Sequence, residues 1–245
     1  EDVGKIRDAG VVQVLYGSSR GLTRRDQVWH QGKRGVPGSN ERGDYFGSTL
    51  ACGDFDADGY ADLAIGSSGE DVGSIEAAGR VVVLRGGPRG LTSRGVRMLG
   101  QGLGGIPSQP ASREGFGSNL AVGDVNGDGY DDLAIGVWAE ADIPKDDVLG
   151  SSAVHLLWGS PAGVMSAGRQ YIKATDIHWS GNPAPDMRFR LTFGDFNRDG
   201  CADLVLTDEW TASVLHGHPD GLHVAQLDKA STPGAAQRGV QCDEA

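Results

Sequence analysis

Four aspartates, Asp54, Asp56, Asp58 and Asp62, fall within nine positions of the segment GDFDADGYADLAIG (residues 53–66), and an apolar run follows at once. Carboxylates crowded in this way repel one another unless a cation lies among them. The order D-x-D-x-D-G-x-x-D suits a hard cation: alternate side chains converge, a glycine makes the sharp turn, and a last carboxylate closes the oxygen shell. The pattern returns as GDVNGDGYDDLAIG (123–136), with Asp124, Asn126, Asp128 and Asp132, and as GDFNRDGCADLVLT (194–207), with Asp195, Asn197, Asp199 and Asp203. The turn glycines Gly59, Gly129 and Gly200 stand 70 and 71 residues apart. Self-similarity at a fixed period marks a repeat architecture. Every donor in these strings is an oxygen, which suits Ca²⁺ and argues against zinc or copper. Three Ca²⁺ ions are expected, each locking a hairpin that its own carboxylates would otherwise push open.

The elements that must hold these loops are short and β-branched, and Gly, Pro, Asp and Ser separate them. Each acidic loop follows an aromatic start, DYFGSTLACGD, EGFGSNLAVGD or MRFRLTFGD, and precedes DLAIG or DLVLT. A third strand with its turn comes next, as in GVVQVLYGSSRGL, GRVVVLRGGPRGL, SAVHLLWGSPAGV and ASVLHGHPDGL, and then a weaker fourth such as DQVWHQ or RQYIKA. No stretch carries a capped helical period. Four short strands per unit, repeated radially, describe the blade of a β-propeller.

At this point the chain resembles FG-GAP repeat proteins, the blades of the integrin α-subunit propeller and of many secreted bacterial proteins. The residues that carry the resemblance are FGSTLACGDFDADGYADLAIGSSGEDVG and FGSNLAVGDVNGDGYDDLAIG. The third copy departs from the pattern, with Arg190 in place of the FG glycine and Leu206-Thr207 ending its second strand. The resemblance implies an all-β propeller with a calcium ion between the first two strands of each blade. It further implies a backbone carbonyl ligand from Tyr60, Tyr130 and Cys201. Residues 1–43 read as the outer half of a blade with its connecting loop. Blades with calcium loops follow at 44–114, 115–187 and 188–225, and a tail at 226–245. EDVGKIRDAGVVQVLYG at the start matches EDVGSIEAAGRVVVLRG at 70–86, so residue 1 falls within a repeat. Upstream blades or another chain are expected to complete a propeller of about seven blades, and the tail reads as a C-terminus.

The net charge is −11, and three divalent ions would bring it to about −5. Much of the acidity is therefore metal-site charge. An acidic chain without a basic stripe is a poor partner for nucleic acid. No apolar stretch approaches the ~20 residues of a membrane span. No secretory leader opens the sequence, so any signal peptide of this expected secreted protein has been removed.

Other motifs tempt and lead elsewhere. GSSRG (17–21) fits the G-x-S-x-G pattern of an esterase elbow, but Ser19 aligns with Pro88, Pro161 and Pro219 of the other repeats and so reads as a turn residue. GQGLGG (100–105) lacks a βαβ context. RGD at Arg42, Gly43 and Asp44 is too short to carry information. Alternation would put His216 and His218 on one strand face, with His223 nearby; zinc is conceivable there, and an edge strand with exposed histidines is the plainer reading. Cys52 aligns with Val122 and Phe193 and is expected to be a buried thiol. Cys201 should point outward from its loop and pair with Cys242 in the tail. Asp131 is expected to face solvent.

No nucleophile with an orienting base is evident, so the chain reads as a binding module and not an enzyme. In the FG-GAP family the binding face lies opposite the calcium loops. That places candidate ligand contacts at Glu70, Asp71, Trp138, Glu140, Asp142, Trp179, Asp208 and Trp210. Carboxylates beside indoles suit a glycan, and a protein ligand is the other expectation. The plainer reading of Trp138 and Trp210 is that they cover the core end of a strand. A structural scaffold for another domain is the alternative function, and a glycan-active enzyme the third.

Overall fold

The computed structural model describes residues 1–33, 35–139, 152–177, 189–207 and 211–224. Among them are fourteen strands, one 3₁₀ turn at Ala174–Asp176 and no α-helix. β1 (Val12–Ser18) pairs with β2 (Gly21–Trp29). β3 (Thr49–Gly53), β4 (Asp62–Ser67), β5 (Arg80–Arg85) and β6 (Thr92–Leu99) form an antiparallel meander. β7 (Asn119–Gly123), β8 (Asp132–Val137), β9 (Ala153–Trp158) and β10 (Met165–Lys173) form a second. β11 (Arg190–Gly194), β12 (Asp203–Thr207), β13 (Ala212–His216) and β14 (His223–Val224) form a third. The first strands β3, β7 and β11 are neighbours in space. Successive sheets thus lie side by side as propeller blades.

The middle strands β4, β5, β8 and β9 are apolar on both faces because each face meets a different neighbour. On β4, Leu63 and Ile65 pack toward Val12, Trp29 and Phe46, whereas Ala64 turns to the following blade. On β5, Val82 and Leu84 join the first group, and Val81 and Val83 join Leu133, Ile135 and Leu157. The period-two alternation of a strand serves two cores at once. This is why DLAIG and VVVL read as continuous apolar runs.

The FG pair closes each seam. Phe46 and Phe116 are buried, and their amides donate to Ala9 and Ala78 of the preceding sheet's connection. Gly47 and Gly117 have φ near +85° to +87°, a region glycine enters without strain. A Cβ on Gly117 would stand 2.6 Å from Val81. The third copy has Phe189 buried and Arg190 exposed in the glycine's place.

Both cysteine orientations differ from the sequence expectation. Cys52 is exposed and free. Its counterparts Val122 and Phe193 pack against a preceding four-stranded sheet. The sheet before Cys52 has only β1 and β2, so nothing among the described residues covers this side of β3. Cys201, expected to point outward, is fully buried. Its loop lies against the previous blade: a Cβ on Gly217 would stand 2.8 Å from the carbonyl of Val125 and 2.9 Å from Cβ of Cys201.

Candidate functional site

Each acidic loop joins the first two strands of a blade, and its backbone folds around its own carboxylates. In the first loop Asp54 accepts from the amides of Asp58 (3.0 Å) and Gly59 (2.8 Å), and Asp58 accepts from Tyr60 at 2.9 Å. The second loop repeats this: Asp124 accepts from Asp128 (3.2 Å) and Gly129 (2.9 Å), and Asp128 from Tyr130 (3.0 Å). In the third, Asp195 accepts from Asp199 and Gly200, both at 3.2 Å, and Asp199 from Cys201 at 2.9 Å. The fourth position of all three loops is left-handed, with φ of 53° at Ala57, 69° at Gly127 and 64° at Arg198. Gly59, Gly129 and Gly200 follow at 85°, 85° and 89°. Three unlike sequences adopt one turn because carboxylate-to-amide bonds dictate it.

The oxygen atoms of Asp54, Asp56 and Asp58 lie within 4.8 Å of one another. Opposite oxygens in a Ca²⁺ shell stand roughly 4.6–5.2 Å apart, twice a Ca–O bond. One oxygen of Asp56, Oδ1, is buried without a hydrogen-bond partner, and an orphaned buried acceptor calls for a cation or water. Its other oxygen, Oδ2, pairs with Arg85 at the end of β5. The residues present therefore fit calcium. In the second and third loops an asparagine replaces the middle aspartate. Its amide nitrogen donates to the next acid, Asn126 to Asp128 at 3.0 Å and Asn197 to Asp199 at 2.9 Å.

The ninth-position acids are placed differently. Asp62, Asp132 and Asp203 are buried and accept from Gly86 (2.6 Å), Gly159 (2.8 Å) and Gly217 (3.0 Å) at the end of the third strand. Asp62 is not part of the converging trio. Burial pushes its carboxyl up to about 6 and that of Asp132 to about 7; a carboxylate without a cation pays for desolvation by holding its proton. Burial also raises Asp124.

Asp131 does not face solvent. Its carboxylate accepts from the amide of Asp54 at 2.7 Å, and its own amide donates to the Asp54 carbonyl at 3.2 Å. The second acidic loop is thereby bonded to the first, and the amide of Ala202 joins the third to the second through the Asp124 carbonyl at 2.7 Å. The sequence offered one sign of this, an extra acid at 131 where the other loops have alanine. Arg85 was also missed; its position corresponds to Trp158 and His216, and His216 faces Asp203 at 3.2 Å.

Of the candidate ligand contacts, Glu140, Asp142, Trp179, Asp208 and Trp210 lie outside the described residues. Glu70 is half-buried and bonded to Gln31 of the preceding connection. Asp71 caps its own loop by accepting from Ala77 at 2.8 Å. Trp138 packs within reach of Gly115, its amide donating to Glu114 at 3.0 Å. Glu70 thus ties its blade to the preceding sheet, whereas Asp71 and Trp138 are engaged within their own blades. Asp44 of the RGD tripeptide is 1% exposed and accepts from Glu41, so it presents nothing to a receptor. Ser19 and Arg20 form the β1–β2 hairpin turn, a strand-turn-strand context unlike an esterase elbow.

The family model described as "FG-GAP repeat" matches residues 46–84 and 116–154. These segments are FG-GAP repeats. The FG-GAP chain is 34% identical to integrin alpha-PS2 of Drosophila melanogaster over 164 residues, 64% of this chain and 11% of that protein. It is 30% identical to integrin alpha-E of Mus musculus over 211 residues, 84% of this chain and 17% of that protein. It is 29% identical to phosphatidylinositol-glycan-specific phospholipase D of Rattus norvegicus over 163 residues, 66% of this chain and 18% of that protein. The chain thus spans less than a fifth of the length of these relatives. No helix among the described residues is long and apolar enough to cross a membrane.

Proposed function

We propose that this FG-GAP propeller is a calcium-stabilised extracellular binding module, with three Ca²⁺ ions in its acidic loops and a protein or glycan as its ligand. The convergence of Asp54, Asp56 and Asp58 around a buried, unpartnered Asp56 oxygen carries the calcium reading. Asp124, Asn126, Asp128 and Asp132 would hold the second ion, and Asp195, Asn197, Asp199 and Asp203 the third. Calcium supplies positive charge that cancels carboxylate repulsion and fixes the hairpins. The likeness to integrin alpha subunits supports an extracellular setting and a protein ligand. Cys201 and Cys242 would form a disulfide that ties the tail to the last blade.

A second reading has its own support. The likeness to a phospholipase D places an FG-GAP segment in a protein named for an enzymatic activity, so this propeller would serve as a scaffold beside another domain. A glycan-active site within this chain is the third reading; such chemistry calls for a pair of carboxylates, and the sequence offers no evident acid–base pair outside the acidic loops.

Melting with millimolar Ca²⁺ and then with EDTA tests the calcium assignment. Binding to the native state alone stabilises by about 2.7 kcal/mol per site at hundred-fold saturation. Removal is expected to lower Tm markedly, and Asp58→Ala, which deletes an acid common to all three loops, to shrink the calcium-dependent gain. Coincident curves would overturn it. Screening the calcium-loaded chain on arrays of matrix proteins and of glycans separates binding module from scaffold.

A further inference from the structure

We propose that His218, Asp220 and His223 form a surface site for a borderline divalent transition cation of the zinc class, distinct from the calcium loops. The three residues flank the turn between β13 and β14. Nδ1 of His218 and Nε2 of His223 are both directed at one oxygen, Oδ1 of Asp220, the latter at 2.7 Å. The rings stand 4.7 Å apart between centroids, and the three ligand atoms lie within 4.8 Å of one another. Two imidazole nitrogens converging on one carboxylate oxygen are arranged as they would be around a metal. The cation takes the place of the bridging protons.

The donor set sets the class of ion. Two imidazoles and one carboxylate suit zinc, nickel or copper, whereas the all-oxygen loops suit calcium. Tetrahedral zinc with bonds of about 2.0–2.1 Å needs its ligands roughly 3.3 Å apart. All three side chains are at least partly exposed, with 37%, 70% and 55% of their surface free, so rotation about side-chain bonds closes the difference. The backbone that carries them is fixed. Gln170 of the preceding blade donates to the carbonyl of Leu222 at 2.7 Å and accepts from its amide at 2.9 Å, and Gly221 donates to the carbonyl of His218 at 2.8 Å. His216, which strand alternation had grouped with His218, is instead held by Asp203. Asp220 takes its place. Three protein ligands leave a fourth position for water or for a donor from a partner.

The test uses the full chain saturated with Ca²⁺. Zinc is titrated calorimetrically, and Co²⁺ is added separately to read its visible d–d band. His218→Gln, His223→Gln and the double variant are compared after their melting curves are checked against the parent. The expected result is one equivalent of zinc bound by the parent. Each single variant should bind at least about ten-fold more weakly, a loss that even outer-shell changes around a metal produce, and the cobalt band should disappear in the double variant. Absence of zinc binding at millimolar concentration, or unchanged affinity in the double variant, overturns the proposal.

Discussion

Carboxylates in this molecule are sorted by what surrounds them. Asp54 and Asp58 spend their oxygens on loop amides, whereas Asp44 and Glu70 are drawn into the seam between the first two sheets. Burial pushes Glu70 up to about 7, against the hydrogen bond from Gln31 that lowers it and with Asp44 and Glu41 adding repulsion, and burial pushes Asp44 to about 6. An acid whose folded pKa is raised binds its proton more tightly in the native state. Its contribution is therefore complete below about pH 4.5, the ordinary range of a glutamate, and is lost as pH rises toward 7. Glu70→Gln removes that ionisation. The Tm difference between variant and parent should move in the variant's favour from pH 4.5 to 7.5, measured at constant calcium. A difference that stays flat across that range would show that Glu70 ionises alike in both states. The sequence made Glu70 a ligand contact because it is an acid after a second strand; its partner Gln31 is 39 residues away, and no local pattern announces such a pairing.

At the scale of the element, much of the blade was legible and its seams were not. The acidic loops could be read because their chemistry is local: three alternate side chains and one glycine specify the turn. Asp131 and the two cysteines were misread because their surroundings come from the neighbouring blade. Glycines record both kinds of constraint. Gly59 has φ of 85° with open space around it, so its requirement is conformational. Gly66, at the end of β4, is extended, and a Cβ there would stand 2.1 Å from Oγ1 of Thr49 and 2.3 Å from the carbonyl of Gly117 in the next blade. Those two groups are bonded to each other at 2.6 Å. Gly59→Ala should cost about 1–2 kcal/mol from left-handed strain. Gly66→Ala must separate two blades or break that bond, an overpacking cost of roughly 1–3 kcal/mol with a lost hydrogen bond added. Thermal melts in saturating Ca²⁺ should place Gly66→Ala below Gly59→Ala, and the reverse order would show the seam to be more compliant than the geometry implies.

Across the whole molecule each core lies between two sheets, and one such pairing is incomplete among the described residues. Leu50 is 49% exposed and Cys52 is free on the face of β3 whose counterparts in the next blade, Leu120 and Val122, are packed. Together with Val12, Val14 and Leu63 they line an apolar cavity of about 520 Å³ beside the two-stranded β1–β2 sheet. An inner hairpin with the alternation of residues 49–67, pairing along β1, has the shape to fill it, in the way β3 and β4 stand inside β5. An unpaired strand edge beside an apolar face invites such pairing. Two states of cysteine follow, and one experiment reads both. Alkylation of the native chain should modify Cys52, which is exposed, though more slowly than a thiol free in solution because burial raises its pKa, and peptide mapping under non-reducing conditions should recover Cys201 joined to Cys242. That bond closes a loop of 41 residues by the numbering, a constraint of about 3–4 kcal/mol on the unfolded chain. In a chain extended by a hairpin of that pattern ahead of residue 1, Cys52 should label at least about ten-fold more slowly, since burial beneath two strands makes access depend on local opening. Equal labelling rates in the two chains would show that the face stays open to solvent, and a Cys52 cross-link in the map would refute the assigned disulfide.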